Sequence, residues 1–131
     1  MADQSDKTVQ QAYDPVSQVG NRHYDDDQFI FRQDERGDQA YIIKSGKVEI
    51  LKETKEGNRL LRTLSKGALF GEMALIDDQP RMASAKTVDG PVEVLVISRK
   101  TFKSRIDGAD PFIRGLLSIL TDTARHIERG V

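Results

Sequence analysis

The chain of 131 residues contains no cysteine and only two histidines, and these absences exclude several kinds of site. Without cysteine there is no disulfide framework, no thiolate zinc site and no cysteine nucleophile, as is common in a reducing compartment. His23 and His126 lie about a hundred positions apart, far from any metal-ligand spacing. We therefore expect both histidines on the surface and no metal site.

Strong charge and long apolar runs are also absent. The net charge of -1 and the pI of about 6.1 leave no basic footprint for nucleic acid or for an anionic membrane. The longest apolar runs, 94–97 and 116–120, are far shorter than the roughly 20 residues that span a bilayer. The polar start of the chain has no apolar signal-peptide core. We expect a soluble, cytoplasmic protein that contacts neither nucleic acid nor the membrane interior.

Catalytic signatures are missing as well. The sequence has no G-x-x-x-x-G-K-[ST] loop, no G-x-S-x-G elbow and no G-x-G-x-x-G turn. The acidic runs 25–27 and 77–78 lack EF-hand spacing and are typical of exposed turns. No residue is a candidate for catalysis, so we expect that the protein is not an enzyme and uses no cofactor.

The length fits one domain with a single core. Residues 1–14 are polar and are predicted to form a flexible tail, and 15–131 are predicted to form the domain. Its β part is expected at about 24–98 and its C-terminal helices at about 99–129. The predicted strands are short: 29–31, 40–43, 47–52, 59–64, 82–87 and 93–97.

Turn signals separate these segments. Glu56-Gly57-Asn58 predicts a tight hairpin turn, and Gly67 and Gly90-Pro91 predict later turns. Val48 and Ile50 alternate with Glu49, as in a half-buried strand. The pattern predicts a mainly β sandwich or jelly roll with flanking helices.

Two helices are predicted after the strands. Ser98 is a candidate N-cap for a helix through Ile106, and Asp110-Pro111 is a strong start signal for a second helix that Gly130 ends. Apolar residues recur along the second helix at helical spacing: Phe112, Ile113, Leu116, Leu117, Ile119, Leu120, Ala124 and Ile127. We expect this face to pack against the β core.

The most informative segment runs from Phe70 to Ala85. Gly71 is predicted to open a single helical turn through Leu75, whose free N–H groups would face an anion. Glu72 can accept hydrogen bonds from a sugar hydroxyl, and Arg81 offers a planar fork of donors for phosphate oxygens. Pro80 fixes the backbone before Arg81. One ligand with a phosphate and a sugar satisfies both side chains.

This segment resembles the phosphate-binding cassette of the cyclic nucleotide-binding domain family, F-G-E-x-A-L followed by P-R-x-A-S/T. Residues 37–48 resemble a second family segment, G-D-x-A-Y-I-I-x-S-G-x-V, and the resemblance covers roughly 24–129. Asp27 and Asp34 stand where many members carry Gly. The resemblance implies a β-roll, double-stranded and jelly-roll-like, with a short cassette helix and C-terminal helices.

The resemblance also implies a site and a role. The implied ligand is cyclic AMP, or else cyclic GMP, and Met82 follows the cassette arginine where cyclic GMP-selective members often carry Thr. The C-terminal helix would be a mobile lid, with Arg125, Ile127 and Arg129 over the base, or a homodimer seam. The implied ligand-binding residues are Gly71, Glu72, Met73, Ala74, Arg81, Met82 and Ala83, with Ile50 and Leu61 as apolar wall.

Alternatives stay open at this point. The chain is expected to be a sensor that acts on a separate effector protein, without a DNA-binding domain. The first alternative is a fragment of a longer cyclic nucleotide-dependent transcription factor or channel. The second is an interaction module of the same fold that binds no ligand. An ordinary surface ion pair between Glu72 and Arg81 is the plainest alternative for the motif.

Overall fold

The computed structural model describes residues 19–129, so the predicted tail 1–14 and Gly130 lie outside the described residues. Six antiparallel strands form one sheet: β1 (Val19–Tyr24), β2 (Phe29–Phe31), β3 (Gln39–Thr54), β4 (Gly57–Leu64), β5 (Leu69–Phe70) and β6 (Ser84–Ser98). Three helices accompany them: α1 (Met73–Asp77), α2 (Arg99–Asp107) and α3 (Pro111–Arg129).

The long strands β3 and β6 form the centre of the sheet. The strand order is β1-β6-β3-β4, with β2 paired to β6 and β5 paired to β3. The two predicted strands 40–43 and 47–52 are one strand, β3, and 82–87 and 93–97 are likewise parts of β6. At the predicted turn, Gly90-Pro91, residues 89–92 have no partner on β3, and Asp89 and Gly90 have positive φ angles of 61° and 118°. Pairing resumes at Glu93, so the chain bulges there without ending the strand.

The first hairpin turn lies slightly earlier than predicted. Thr54 pairs with Gly57, so Lys55 and Glu56 form the turn and Gly57, with φ +112°, already belongs to β4. Asp27 and Asp34, which occupy positions where a glycine was expected, have positive φ angles of 59° and 73°. Aspartate tolerates this left-handed conformation better than most residues with a side chain do.

The core consists mainly of buried residues of the strands. Val48 and Ile50 are buried as their alternation predicted, and Val92, Val94 and Val96 are buried at every second position of β6. Tyr41, Ile43, Phe70, Ala83 and Ala85 complete the core cluster. These residues hold the strands that carry the site.

Helix starts agree with the sequence signals. The Ser98 hydroxyl accepts a hydrogen bond from the N–H of Thr101, and α2 begins at Arg99. The N–H of Phe112 donates to Asp110 Oδ1 at 2.7 Å, at the start of α3. None of the helices in residues 19–129 is long and apolar enough to cross a membrane.

The expected packing of α3 was wrong. Most of its large apolar side chains face solvent, and Phe112 (72% exposed), Ile119 (65%) and Ile127 (60%) are the most exposed of them, whereas Leu117 is half-buried. Polar residues lie on the buried side instead: Thr121 is 6% and Arg125 is 5% exposed. α3 has its polar side buried because α1 and the turn after it present the Asp77 carboxylate and the Pro80 carbonyl to this helix.

Candidate functional site

A small cavity of about 50 Å³ lies between the cassette segment, β3 and β4 and opens to solvent. Its lining includes all of the predicted ligand-binding residues except Leu61: Ile50, Gly71, Glu72, Met73, Ala74, Arg81, Met82 and Ala83. Phe31, Arg62, Phe70 and Arg125 complete the lining.

The cassette backbone turns sharply at Gly71. Its φ angle is +81°, and a Cβ atom there would lie 2.9 Å from Arg81 Nη1 and 3.2 Å from a carbon of the Phe31 ring. Only glycine fits this close approach without displacement. The helical turn predicted from Gly71 begins two residues later, with Glu72 as the N-cap residue of α1.

The Arg81 guanidinium is buried and is held by main-chain carbonyls. Nη1 donates to the Gly71 carbonyl at 2.6 Å, and Nη2 donates to the Gln39 carbonyl at 2.7 Å. The side chain is only 5% exposed. Each terminal nitrogen carries two N–H groups, so these bonds leave further donors for an acceptor in the cavity.

The Arg81 backbone is fixed from the other side of the loop. Its N–H donates to the Glu35 carbonyl and its carbonyl accepts from the N–H of Asp34, both at 2.8 Å. Asp34, whose φ angle is positive, thus lies in a loop that is hydrogen-bonded to the cassette. Residues 34–35 act as a support for Arg81 that the motif alone did not reveal.

Arg81 has hydrogen bonds but no salt bridge to a carboxylate within residues 19–129. Burial lowers the pKa of its guanidinium, and Tyr41, Glu35 and Asp38 oppose this at longer range. Its Nε is buried without a hydrogen-bond partner. A buried cation without a counterion is costly, and an anion in the cavity would relieve that cost.

Glu72 is the acidic member of the lining. Burial raises the pKa of its carboxyl group, while its own backbone N–H, Arg62 and Arg81 act in the opposite direction. The carboxylate thus stands in a half-buried position where it can accept a hydrogen bond from a ligand hydroxyl. The plain alternative, a surface ion pair between Glu72 and Arg81, is not formed in this structure.

A bulge in β4 places Arg62, and not Leu61, at the cavity. Ile50 pairs with Arg62 and Leu51 pairs with Leu60, so the register shifts at Leu61. Leu61 packs against the core cluster from its edge. A shift of one residue exchanges the two faces of a strand, which is why position in the sequence did not reveal Arg62.

The three predicted lid residues have different positions. Arg125 reaches the cavity, but its guanidinium binds Asp77 through Nε and Nη2, and Nη1 donates to the Pro80 carbonyl at 3.0 Å. Ile127 is exposed and outside the lining. The side chain of Arg129 lies outside the described part of the structure.

Both C-terminal helices are attached to the C-terminal end of α1. Arg125 of α3 forms a salt bridge with Asp77. Arg99 and Lys103 of α2 form salt bridges with Asp78, and Lys103 Nζ lies 3.2 Å from Asp78 Oδ2. Asp78 ends α1 with a left-handed φ of 56°. Asp78 is exposed, as predicted for a turn, while Asp77 is half-buried; together they join the cassette to the two helices.

No group of three or more His, Cys, Asp or Glu side chains in residues 19–129 is arranged to hold a metal ion. The chemistry that the cavity offers is a fixed guanidinium, a carboxylate and an apolar wall. This combination recognises an anion that carries a hydroxyl group and a flat or apolar part.

Comparison with known proteins identifies the family. The model of the cyclic nucleotide-binding domain matches residues 21–108. The mouse cGMP-dependent protein kinase 2 is 35% identical over 117 residues, which cover 83% of this chain and 15% of the kinase. The chain thus spans a small part of the length of this curated relative.

Solved structures agree. The EAL enzyme Bd1971 in its cAMP-bound form has a TM-score of 0.81 and 32% identity, over 85% of this chain and 29% of that one. The same enzyme has also been solved in a cGMP-bound form. The catabolite activator protein of Thermus thermophilus has a TM-score of 0.70 and 31% identity, over 88% and 55% of the two chains. With its β-roll, cassette helix and C-terminal helices, this chain belongs to the cyclic nucleotide-binding domain family.

Proposed function

We propose that the chain binds a cyclic purine mononucleotide in the cavity and acts as a regulatory domain, without catalytic activity of its own. The observation that carries the proposal is the buried Arg81, which has hydrogen bonds to carbonyls but no carboxylate counterion within residues 19–129. The singly charged cyclic phosphate supplies the missing charge, and Glu72 accepts from the ribose 2′-hydroxyl. Apolar residues such as Ile50 contact the base and the sugar.

Replacement of Arg81 tests this proposal. Arg81→Ala should weaken binding by about 2 to 4 kcal/mol, because it removes a desolvated ionic hydrogen bond. Arg81→Lys should restore little, since an ammonium group cannot reproduce the planar fork. Arg36→Ala is the matched control, as the Arg36 side chain is 80% exposed in the neighbouring loop.

Calorimetric titration with cyclic AMP and cyclic GMP measures the nucleotide affinity of each variant. If the folded wild-type protein binds neither nucleotide, the proposed function is wrong and the alternative of a ligand-free interaction module stands. Equal affinities of wild type and a folded Arg81→Ala variant would remove the role assigned to the guanidinium.

We propose cyclic AMP as the preferred ligand, with cyclic GMP as a weaker one. The support is Met82, whose thioether is a very weak acceptor for the guanine amino group. Arg62 acts against this preference, because a guanidinium can donate to guanine O6 and N7. Arg62→Ala should therefore reduce cyclic GMP binding more than cyclic AMP binding.

We further propose that α3 responds to the ligand and passes the signal to a separate effector chain. The support is the bond network that ties Arg125 to Asp77 and Pro80, next to the cavity. A ligand shifts a helix only by its differential affinity for two helix positions. Cyclic AMP should therefore raise amide protection in 111–129 as well as in 70–84, and protection confined to 70–84 would make α3 a static element.

A homodimer through α3 is the second role that the structure favours. Ile113, Leu116, Leu120 and Ile127 recur at spacings of three, four and seven, as in the seam of a coiled coil, and all are exposed. Leu120→Glu should lower the molar mass in sedimentation, whereas Asp122→Lys on the same helix should not. A wild-type protein that is monomeric at high concentration would exclude this seam.

A further inference from the structure

The Arg81 guanidinium lies on a cluster of three aromatic rings. Its Cζ lies 4.0 Å from the centroid of the Phe31 ring and 5.9 Å from that of Tyr41. Phe31 in turn packs against Tyr41 at 5.9 Å and against Phe70 at 6.1 Å between centroids. The ring that supports the cation is therefore itself held in place.

Gly37 also lies directly against the guanidinium. A Cβ atom at that position would lie 2.6 Å from Arg81 Cζ and 2.7 Å from Nε. The planar group thus contacts both the main chain and the Phe31 ring, while carbonyls fix its two ends. Such a group needs little rearrangement when an anion arrives, which is the basis of preorganised recognition.

Phe31 also acts on the cost of burial. Desolvation disfavours the charged form of Arg81, and the negative face of an aromatic ring compensates part of that cost. The effect of a ring on a desolvated cation is larger than on an exposed one. No motif in the sequence marks Phe31, which lies fifty positions before the arginine.

We propose that Phe31 is a positioning residue for the phosphate of the ligand: it holds the Arg81 guanidinium in one orientation, aimed into the cavity. This inference rests on the proposed function. It predicts that the loss of the ring weakens nucleotide binding through Arg81, and not through lost contact with the base.

The chain contains a matched control on the same strand. Phe29 also lies under cations, with Arg32 Cζ at 4.6 Å and Lys86 Nζ at 5.1 Å from its ring centroid. Neither of these cations lines the cavity. Phe29→Leu therefore removes a ring and a cation–π contact of the same kind without touching the site.

The test measures the affinity of each variant for cyclic AMP by competition against a fluorescent cyclic AMP analogue. This assay also measures weak affinities. Phe31→Leu should weaken binding about three- to thirtyfold, Phe31→Tyr should restore most of it, and Phe29→Leu should leave it unchanged. Circular dichroism and thermal unfolding establish that each variant is folded. If Phe31→Leu does not fold, Phe31→Met replaces it in the same comparison.

A double-mutant cycle separates positioning from a merely structural role. In an Arg81→Ala background, Phe31→Leu should have no further effect on affinity, because the group that it positions is gone. A loss that persists in that background would overturn the inference, as would equal losses for Phe29→Leu and Phe31→Leu. Failure of the wild-type protein to bind any cyclic nucleotide would overturn the proposed function instead.

Discussion

Replacement of Arg125 with Ala should release α3 from the cassette. The guanidinium contacts both carboxylate oxygens of Asp77, with Nη2 and Oδ1 3.1 Å apart, and donates to the Pro80 carbonyl. No large apolar side chain of α3 is fully buried against the rest of the protein. The polar junction therefore supplies much of what holds this helix.

The magnitude follows from the burial of the two partners. Breaking a fully buried pair costs about 3 to 5 kcal/mol, and an exposed pair contributes about 0 to 1 kcal/mol. The Arg125 side chain is 6% and that of Asp77 is 23% exposed, so water reaches the carboxylate once it is left alone. We expect a loss of about 2 to 3 kcal/mol, or about 30- to 150-fold more frequent opening of α3.

Hydrogen exchange measured by mass spectrometry provides the assay. Peptides from 117–127 should exchange faster in Arg125→Ala, while peptides from β6 should not change. His126→Ala is the control, because His126 is the exposed neighbour on the same turn of the helix. Unchanged exchange in Arg125→Ala, or an equal change in His126→Ala, would refute the assignment of the junction.

The remaining predictions concern the ligand and the carboxylate. The 2′-deoxy analogue of cyclic AMP should bind more weakly than cyclic AMP, because Glu72 then loses its partner, and equal affinities in calorimetry would give Glu72 another role. Met82→Thr should increase the affinity for cyclic GMP relative to cyclic AMP, and an unmodified protein that clearly prefers cyclic GMP would contradict this. Burial raises the pKa of Glu72 above its ordinary 4.5, so the folded state holds this proton to higher pH than the unfolded chain. The contribution of Glu72 to the free energy of unfolding should decrease as pH rises from 4.5 through the raised pKa, and urea titrations should show a flatter profile for Glu72→Gln.

The sequence predicted those parts of the cavity lining that lie close together in the chain. The segment from Gly71 to Ala83 carries the chemistry in consecutive residues, so its motif could be read without knowing the fold. Phe31 and Arg62 come from other strands and reach the cavity only through strand pairing. Their positions depend on register, which no short motif encodes.

Strand bounds were predictable where turns interrupt the chain and not where a strand continues through an irregularity. β2 was predicted at its observed bounds. The Gly90-Pro91 pair is a strong local turn signal, and Asp89 and Gly90 do take positive φ angles, yet β6 continues past it because β3 pairs with it on both sides. Tertiary pairing thus kept the strand together across a local turn conformation.

The case of α3 shows a limit of a different kind. Helical periodicity identifies an apolar face but says nothing about which neighbour it meets, and here the neighbour is polar. α1 and the turn after it present the Asp77 carboxylate and the Pro80 carbonyl, groups that require a donor when they are buried, and Arg125 provides it. The helix is therefore oriented by its arginine, and its apolar side chains are turned outward by the same rotation. Under the proposed function this has a mechanical consequence: a ligand that moves the cassette moves Asp77, and with it the position from which α3 presents its apolar face to a partner.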